Sequence, residues 1–386
     1  MQLIELQCVA FQVARAAVAF CISCISLQAW SSNALWSAYL AENPSALQLR
    51  ADYTYFDEQL DVINYLDSLG TSSRPDDYLK PSFEFGYRVG DWRPFIEFSE
   101  VEGSAVRERQ PFRVESTASY RTAGLTRYFG NSDEGGAATL QVTDIEQDSL
   151  DIDCYERSGV VLGGSCEEAD FQLVDGDLLL ETGESVAFPV LTSSAEAISL
   201  KASVDWWNRW SSAPLLLGHS LSLSATELDH TNYSPLYDLQ SSFLLNTPFD
   251  GKTLGSLIDE LKQDLPQDEP WQEAVLGYDF SVSYFLGDWI FNGALGGRYV
   301  QRFNYSDPMK RKQYRSNARL SGEVWYQFEK AAAYLRGEAF SNYLLGIDPL
   351  AYNSKSSRFF EHPYGQLTAG FILSFELILP VALVLK

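Results

Sequence analysis

Residues 366–375 read QLTAGFILSF, and the alternation in that stretch decides how the rest of the chain is parsed. Leu367, Ala369, Phe371, Leu373 and Phe375 fall on one face of an extended strand, and Gln366, Thr368, Gly370, Ile372 and Ser374 on the other. A run of about ten residues with one continuously apolar face suits a tilted strand crossing a bilayer. An inner strand of a soluble exported β-sandwich is the competing reading, and the pattern along the remaining chain separates the two.

That pattern repeats. Alternating segments occur at 46–56, 82–90, 93–102, 112–129, 137–147, 196–210, 216–228, 275–286, 289–303, 314–328, 331–344 and 366–375, twelve with the last. Short turns such as Gly90-Asp91, Gly287-Asp288 and Glu329-Lys330 alternate without exception with longer loops. A membrane barrel has short periplasmic turns, long external loops and an even strand count, whereas a sandwich has no reason to keep that parity. The expected fold is therefore all-β, an antiparallel transmembrane β-barrel of about twelve strands occupying 46–375, with an acidic external insertion at 148–195 and a loop at 230–274. A hairpin inside 148–195 would raise the count to fourteen. Residues 237–245 are assigned to a loop, because one extra strand would invert the polarity of everything before it. Leu254, Leu257, Ile258 and Leu261 mark a short amphipathic helix within 253–265.

If the apolar faces meet lipid, charges belong on the opposite faces, since Arg or Lys at the bilayer midplane costs about 2–4 kcal/mol. The alternation obeys this, directing Arg50, Glu84, Arg88, Glu97, Lys201, Asp205, Asp279, Arg298, Arg302, Arg315, Arg319, Glu323, Arg336 and Glu338 inward. Two readings of this interior follow. The ladder Arg298, Arg302, Arg315, Arg319 and Arg336, with Glu323 and Glu338 near it, lines a water-filled pore and selects solutes. Alternatively, the charges pair and fill a narrow lumen.

The order polar, any, Gly, any, any, apolar, any, aromatic, met by Thr368, Gly370, Leu373 and Phe375, resembles the closing-strand signal of Gram-negative outer-membrane β-barrels. The resemblance implies residence in the outer membrane, with outer-membrane lipids and the barrel-insertion machinery as partners. The chain departs from the pattern by adding an apolar tail, 376–386. Its size and strand count also resemble the solitary autotransporter-type barrels, an autotransporter-like barrel lacking a passenger, which implies location and fold more than activity.

Residues 16–29, AAVAFCISCISLQA, have the length and apolarity of an export-signal core following Arg15. A signal over 1–34, cut after Ala34, is expected, with 1–12 an over-extended start and 35–45 a periplasmic linker. Cys154 and Cys166 flank a Gly-rich stretch and read as one disulfide formed in an oxidising compartment. The net charge of −24 excludes a nucleic-acid partner. The dense acids of 148–195 read as a solvated loop and match no EF-hand. Neither a zinc motif, a nucleotide-binding Gly pattern nor a hydrolase elbow is present, so no metal, cofactor or catalytic residue is expected. The expected function is a passive pore or surface-exposed membrane protein. The alternative is a lipid-modifying outer-membrane hydrolase using His230 or His362; His219 lies on an apolar face. The sequence does not specify an oligomeric state.

Overall fold

The structure, a computed structural model, describes residues 33–42, 46–57, 74–106, 112–154, 189–233, 270–304, 316–340 and 364–376, with single positions between 246 and 259. One helix, α1 (Asn33–Glu42), precedes β1 (Ala46–Asp57), β2 (Arg74–Tyr87), β3 (Trp92–Val106), β4 (Phe112–Gly130), β5 (Glu134–Cys154), β6 (Pro189–Trp210) and β7 (Leu215–Tyr233). A two-stranded ribbon, β8 (Pro248–Phe249) and β9 (Lys252–Thr253), separates them from β10 (Trp271–Leu286), β11 (Trp289–Phe303), β12 (Ser316–Gln327), β13 (Ala331–Phe340) and β14 (Tyr364–Glu376).

Twelve of these strands close into one antiparallel barrel, β7 pairing directly with β10 and β14 with β1. The fourteen-strand alternative is thereby set aside, because β5 is the direct neighbour of β6 in the closed wall and leaves no place for an inserted hairpin. Phe83, Ile198, Leu295 and Leu320 are each more than half exposed. Together with their neighbours on the same faces they form the apolar belt that meets lipid. Tyr53, Trp206, Tyr284, Trp289 and Tyr299 also face outward. Closure satisfies every strand edge, the condition for sheet structure in hydrocarbon.

The wall is uneven. β5 and β6 run for 21 and 22 residues, β12 and β13 for 12 and 10. The strands expected at 137–147 and 196–210 thus extend into the segment read as insertion, because a strand continuing beyond the lipid no longer needs an apolar outer face. Tight turns form where Gly-Asp occurs: Gly90 and Gly287 both hold φ of 59°, a left-handed conformation that glycine adopts without a Cβ penalty. The expected helix at 253–265 is helical at Gly255, Ser256 and Asp259 and otherwise lies outside the described residues. Residues 237–245, the insertion between 155 and 188 with Cys166, and the tail after Glu376 also lie outside them.

The linker expected at 35–45 is corrected: 33–42 is a helix, and it packs inside the barrel. Its sequence, NALWSAYLAE, is apolar nearly all round, the signature of a helix buried on every side. Pro44, just past Glu42, cannot continue it. The expected cut after Ala34 would remove the first two residues of the helix, of which Ala34 is only 2% exposed.

Candidate luminal site

The short turns, the start of β1 and the end of β14 share one mouth of the barrel, the periplasmic one in this class. Inward positions near that mouth carry Tyr128, Trp207, Leu216, Ile290, Trp325, Ala332 and Ile372, which form one buried cluster with Leu35, Ala38, Tyr39 and Leu40 of α1. Trp36 and Tyr39 stack on each other with ring centres 6.0 Å apart, and Tyr39 meets Trp325 at 5.8 Å. Each buried leucine contributes about 1.5–3 kcal/mol.

Close seating depends on Gly218. A Cβ there would lie 2.6 Å from that of Ala34, so only glycine lets the helix approach β7. Polar contacts fix the orientation. Ser37 Oγ donates to Asp205 Oδ2 at 2.7 Å, Ser220 Oγ donates to Oδ1 at 2.6 Å, and Arg88 Nη1 donates to the Leu40 carbonyl at 2.7 Å. At the helix end Arg209 lies 3.5 Å from Glu42 and 3.2 Å from Asp133. Burial pushes the Glu42 carboxyl up from its ordinary value, with Arg209 opposing. Burial likewise raises the Tyr39 phenol.

Further in, the lumen is ionic. Arg319 is almost wholly buried, its Nε 2.7 Å from Glu338 and its Nη1 3.3 Å from Asp279. Arg298 donates to the other oxygen of Asp279 at 3.0 Å. Arg336 lies 3.1 Å from Glu338 and 3.8 Å from Glu323, and Glu323 also accepts from Trp325 Nε1 at 3.0 Å. Arg302 pairs with Glu273 at 2.8 Å. A second group joins Arg50 to Asp52, Glu84 and Glu97 at 3.0, 3.1 and 3.5 Å, while Arg93 pairs with Glu84 and Arg50 lies over the Trp36 ring.

Inward glycines let these side chains lie flat. Asp279, Gly296 and Arg319 occupy one rung of β10, β11 and β12, so the ion pair forms across a residue whose Cβ would collide with Asp279. On another rung, Tyr334 donates to Asp52 over Gly370. Between α1 and this network a cavity of about 70 Å³ touches Trp36, Ser37, Arg50, Glu97, Lys201 and Asp205, room for a handful of waters.

The structure thus brings Arg298, Arg319, Glu323, Arg336 and Glu338 into one connected set through Asp279 and places Arg302 in a separate pair. Arg315 lies outside the described residues, as do Cys166, His362 and the side chains of Cys154 and His230. Of the closing-strand residues, Thr368 faces inward against Thr54 at 2.9 Å, Gly370 lies beneath Tyr334, and Phe375 faces lipid. His219 faces outward, bonded to the Tyr278 hydroxyl at 2.7 Å and stacked on Trp206. Sequence reasoning missed α1 and its seat. The available signal was the apolar Ile290, Trp325 and Ile372 on otherwise polar faces.

A closed barrel with an apolar belt outside and a polar, charged interior defines an outer-membrane β-barrel protein, resident in the Gram-negative outer membrane. No protein-family model matches the chain, and no curated protein matches it. Among solved structures it is similar to the translocator domain of autotransporter NalP from Neisseria meningitidis (6% identity, 87% of this chain and 89% of that one, TM-score 0.47). It is also similar to the toluene transporter TodX from Pseudomonas putida (9%, 92% and 100%, TM-score 0.43) and to LpxR from Salmonella typhimurium (7%, 85% and 100%, TM-score 0.41). These are likenesses of barrel form only.

Proposed function

We propose that the protein is an outer-membrane channel for small polar solutes, held shut at its periplasmic mouth by α1. The observation that carries this reading is the seat: Ala34 against Gly218, Ser37 on Asp205, and an apolar cluster enclosing Leu35 and Leu40. A helix needed only to fill space requires neither a hydrogen bond to a luminal carboxylate nor a glycine reserved for its approach. The flattened charges behind it line a polar path, and carboxylates balance the arginines there, so the path favours neither sign of ion strongly.

The test is single-channel recording in planar bilayers, with folding verified by the heat-dependent gel shift of barrels. Wild type should be silent or give rare, brief openings. Gly218→Val, which takes the space of Ala34, should give steady conductance. A folded Gly218→Val barrel as silent as wild type would sink the proposal.

A further inference from the structure

The inward face of β6 carries Lys201, Ser203 and Asp205 in succession, and all three border the cavity between α1 and the luminal ion pairs. Around that cavity Arg50, Arg93 and Lys201 are set against Glu84, Glu97 and Asp205, so the two signs balance. The arginines are already committed. Arg93 pairs with Glu84, and Arg50 lies 3.1 Å from Glu84 and 3.5 Å from Glu97. One charge of each sign is then left over. Among the described residues Lys201 forms neither an ion pair nor a hydrogen bond. Asp205, only 2% exposed, accepts hydroxyl donors from Ser37 at 2.7 Å and Ser220 at 2.6 Å, and among the described residues no cation pairs with it.

The strand itself keeps these two apart. Positions four residues apart on a strand lie about 13 Å from each other, and their side chains rise roughly perpendicular to the sheet. A charge held away from bulk water without a counter-charge is costly, and here two of opposite sign share one face and one cavity. An inorganic anion at Lys201 would leave Asp205 uncompensated, and a simple cation at Asp205 would leave Lys201 so. A molecule carrying both charges compensates both. The ammonium and carboxylate of an α-amino acid, each hydrogen-bonded to its partner at ~2.8 Å, span about 8–9 Å, and the flexible lysine stem covers the remainder.

We propose that this cavity binds a small zwitterion of the amino-acid class. Lys201 Nζ donates to the ligand carboxylate, the ligand ammonium donates to Asp205, and a short apolar side chain lies against Leu40 and Phe95. The cavity of about 70 Å³ holds roughly five to seven water-sized groups, which matches the heavy-atom frame of alanine. Trp36 and Ser37 of α1 bound it on the periplasmic side. The inference rests on the channel reading above and names its solute: a path lined by balanced charges suits a molecule whose own charges balance.

Equilibrium dialysis of radiolabelled L-alanine against the folded wild-type barrel in an uncharged detergent tests the site. Propionate and ethylamine, each carrying one of the two charges, serve as competitors. Saturable binding is expected, with either half-molecule competing at least tenfold more weakly than unlabelled alanine. D205N and K201M should each weaken binding tenfold or more. Lys201→Met keeps the length of the side chain and removes a charge without a partner, so it should fold even if D205N does not. The control is K80M, which removes a lysine lying 5.2 Å over the Tyr120 ring, outside the cavity, and should leave the affinity unchanged. Absence of saturable binding, competition by propionate or ethylamine equal to that by alanine, or an equal loss in K80M would each overturn the site. Binding is read without an open channel, so the two proposals fail separately. Alanine binding to wild type alongside a silent Gly218→Val barrel would keep the site and refute the channel, whereas a conducting Gly218→Val barrel alongside a wild type that binds no alanine would do the reverse.

Discussion

The periplasmic end of the lumen and its middle are built from inward positions of the same strands, yet one is apolar and the other ionic. β12 carries Trp325 at the mouth and Glu323 and Arg319 further in; β13 carries Ala332 and then Arg336 and Glu338. The apolar end is occupied by a helix that arrives from outside the sheet, and the ionic middle is satisfied within the wall. Occupancy by a separable element and satisfaction by fixed partners predict different responses to mutation. At the mouth a substitution should open the barrel and leave it standing. In the middle it should weaken the barrel itself.

The largest contrast should come from Leu40→Asp. Placing a carboxylate among Leu216, Ile290 and Ile372 should expel α1 and expose residues 33–45 to protease, while the heat-shift midpoint of the barrel stays near wild type. Retained protection of that segment would show that α1 does not detach. Next, Asp279→Ala leaves both Arg298 and Arg319 short of a carboxylate and should cost about 3–5 kcal/mol of barrel stability, read from urea unfolding in detergent. Gly296→Val lifts the same ion pair off the wall and should cost about 1–3 kcal/mol in that assay. A similar loss from Gly322→Val, where an added side chain meets open space, would remove the special role of Gly296.

Smaller effects sharpen the picture. Ser37→Ala removes one of two hydroxyls on Asp205 and should loosen α1 by about 1 kcal/mol, seen as more frequent channel openings with unchanged conductance. The least effect concerns pH. The carboxyl pKa of Glu42 is raised in the seated state, so ionisation disfavours seating. The helix should hold more firmly as pH falls through that raised value towards the ordinary glutamate range, and less firmly above it. Glu42→Gln should abolish this component of the pH dependence of opening.

Much of the barrel was legible because lipid imposes a simple rule on outward residues. The faces assigned from alternation in β11, β12 and β14 are those observed, down to Arg319 inside and Leu320 outside. What escaped has identifiable causes. The upper parts of β5 and β6 stand beyond the bilayer, where the rule lapses. α1 follows the apolar segment 16–29 so closely that its first two residues read as a cleavage site and the rest as a short linker. The seat consists of single apolar residues, each isolated on its strand by polar neighbours, and only closure of the barrel gathers them. Pairing in the lumen was equally hidden, since Arg319 finds Asp279 two strands away and only because glycine stands between them.

The position of α1 in the chain has a consequence for the order of assembly. Residues 43–45 tether it to β1, the strand that meets β14 to complete the ring, and its seat draws Ile372 from β14 together with Trp325 and Ala332 from the strands before it. The helix is therefore among the first parts of the barrel sequence to leave the ribosome and among the last to find its place. A chain arrested before the first and last strands join has nowhere to put it, so a seated helix serves as a record that the circle has been closed.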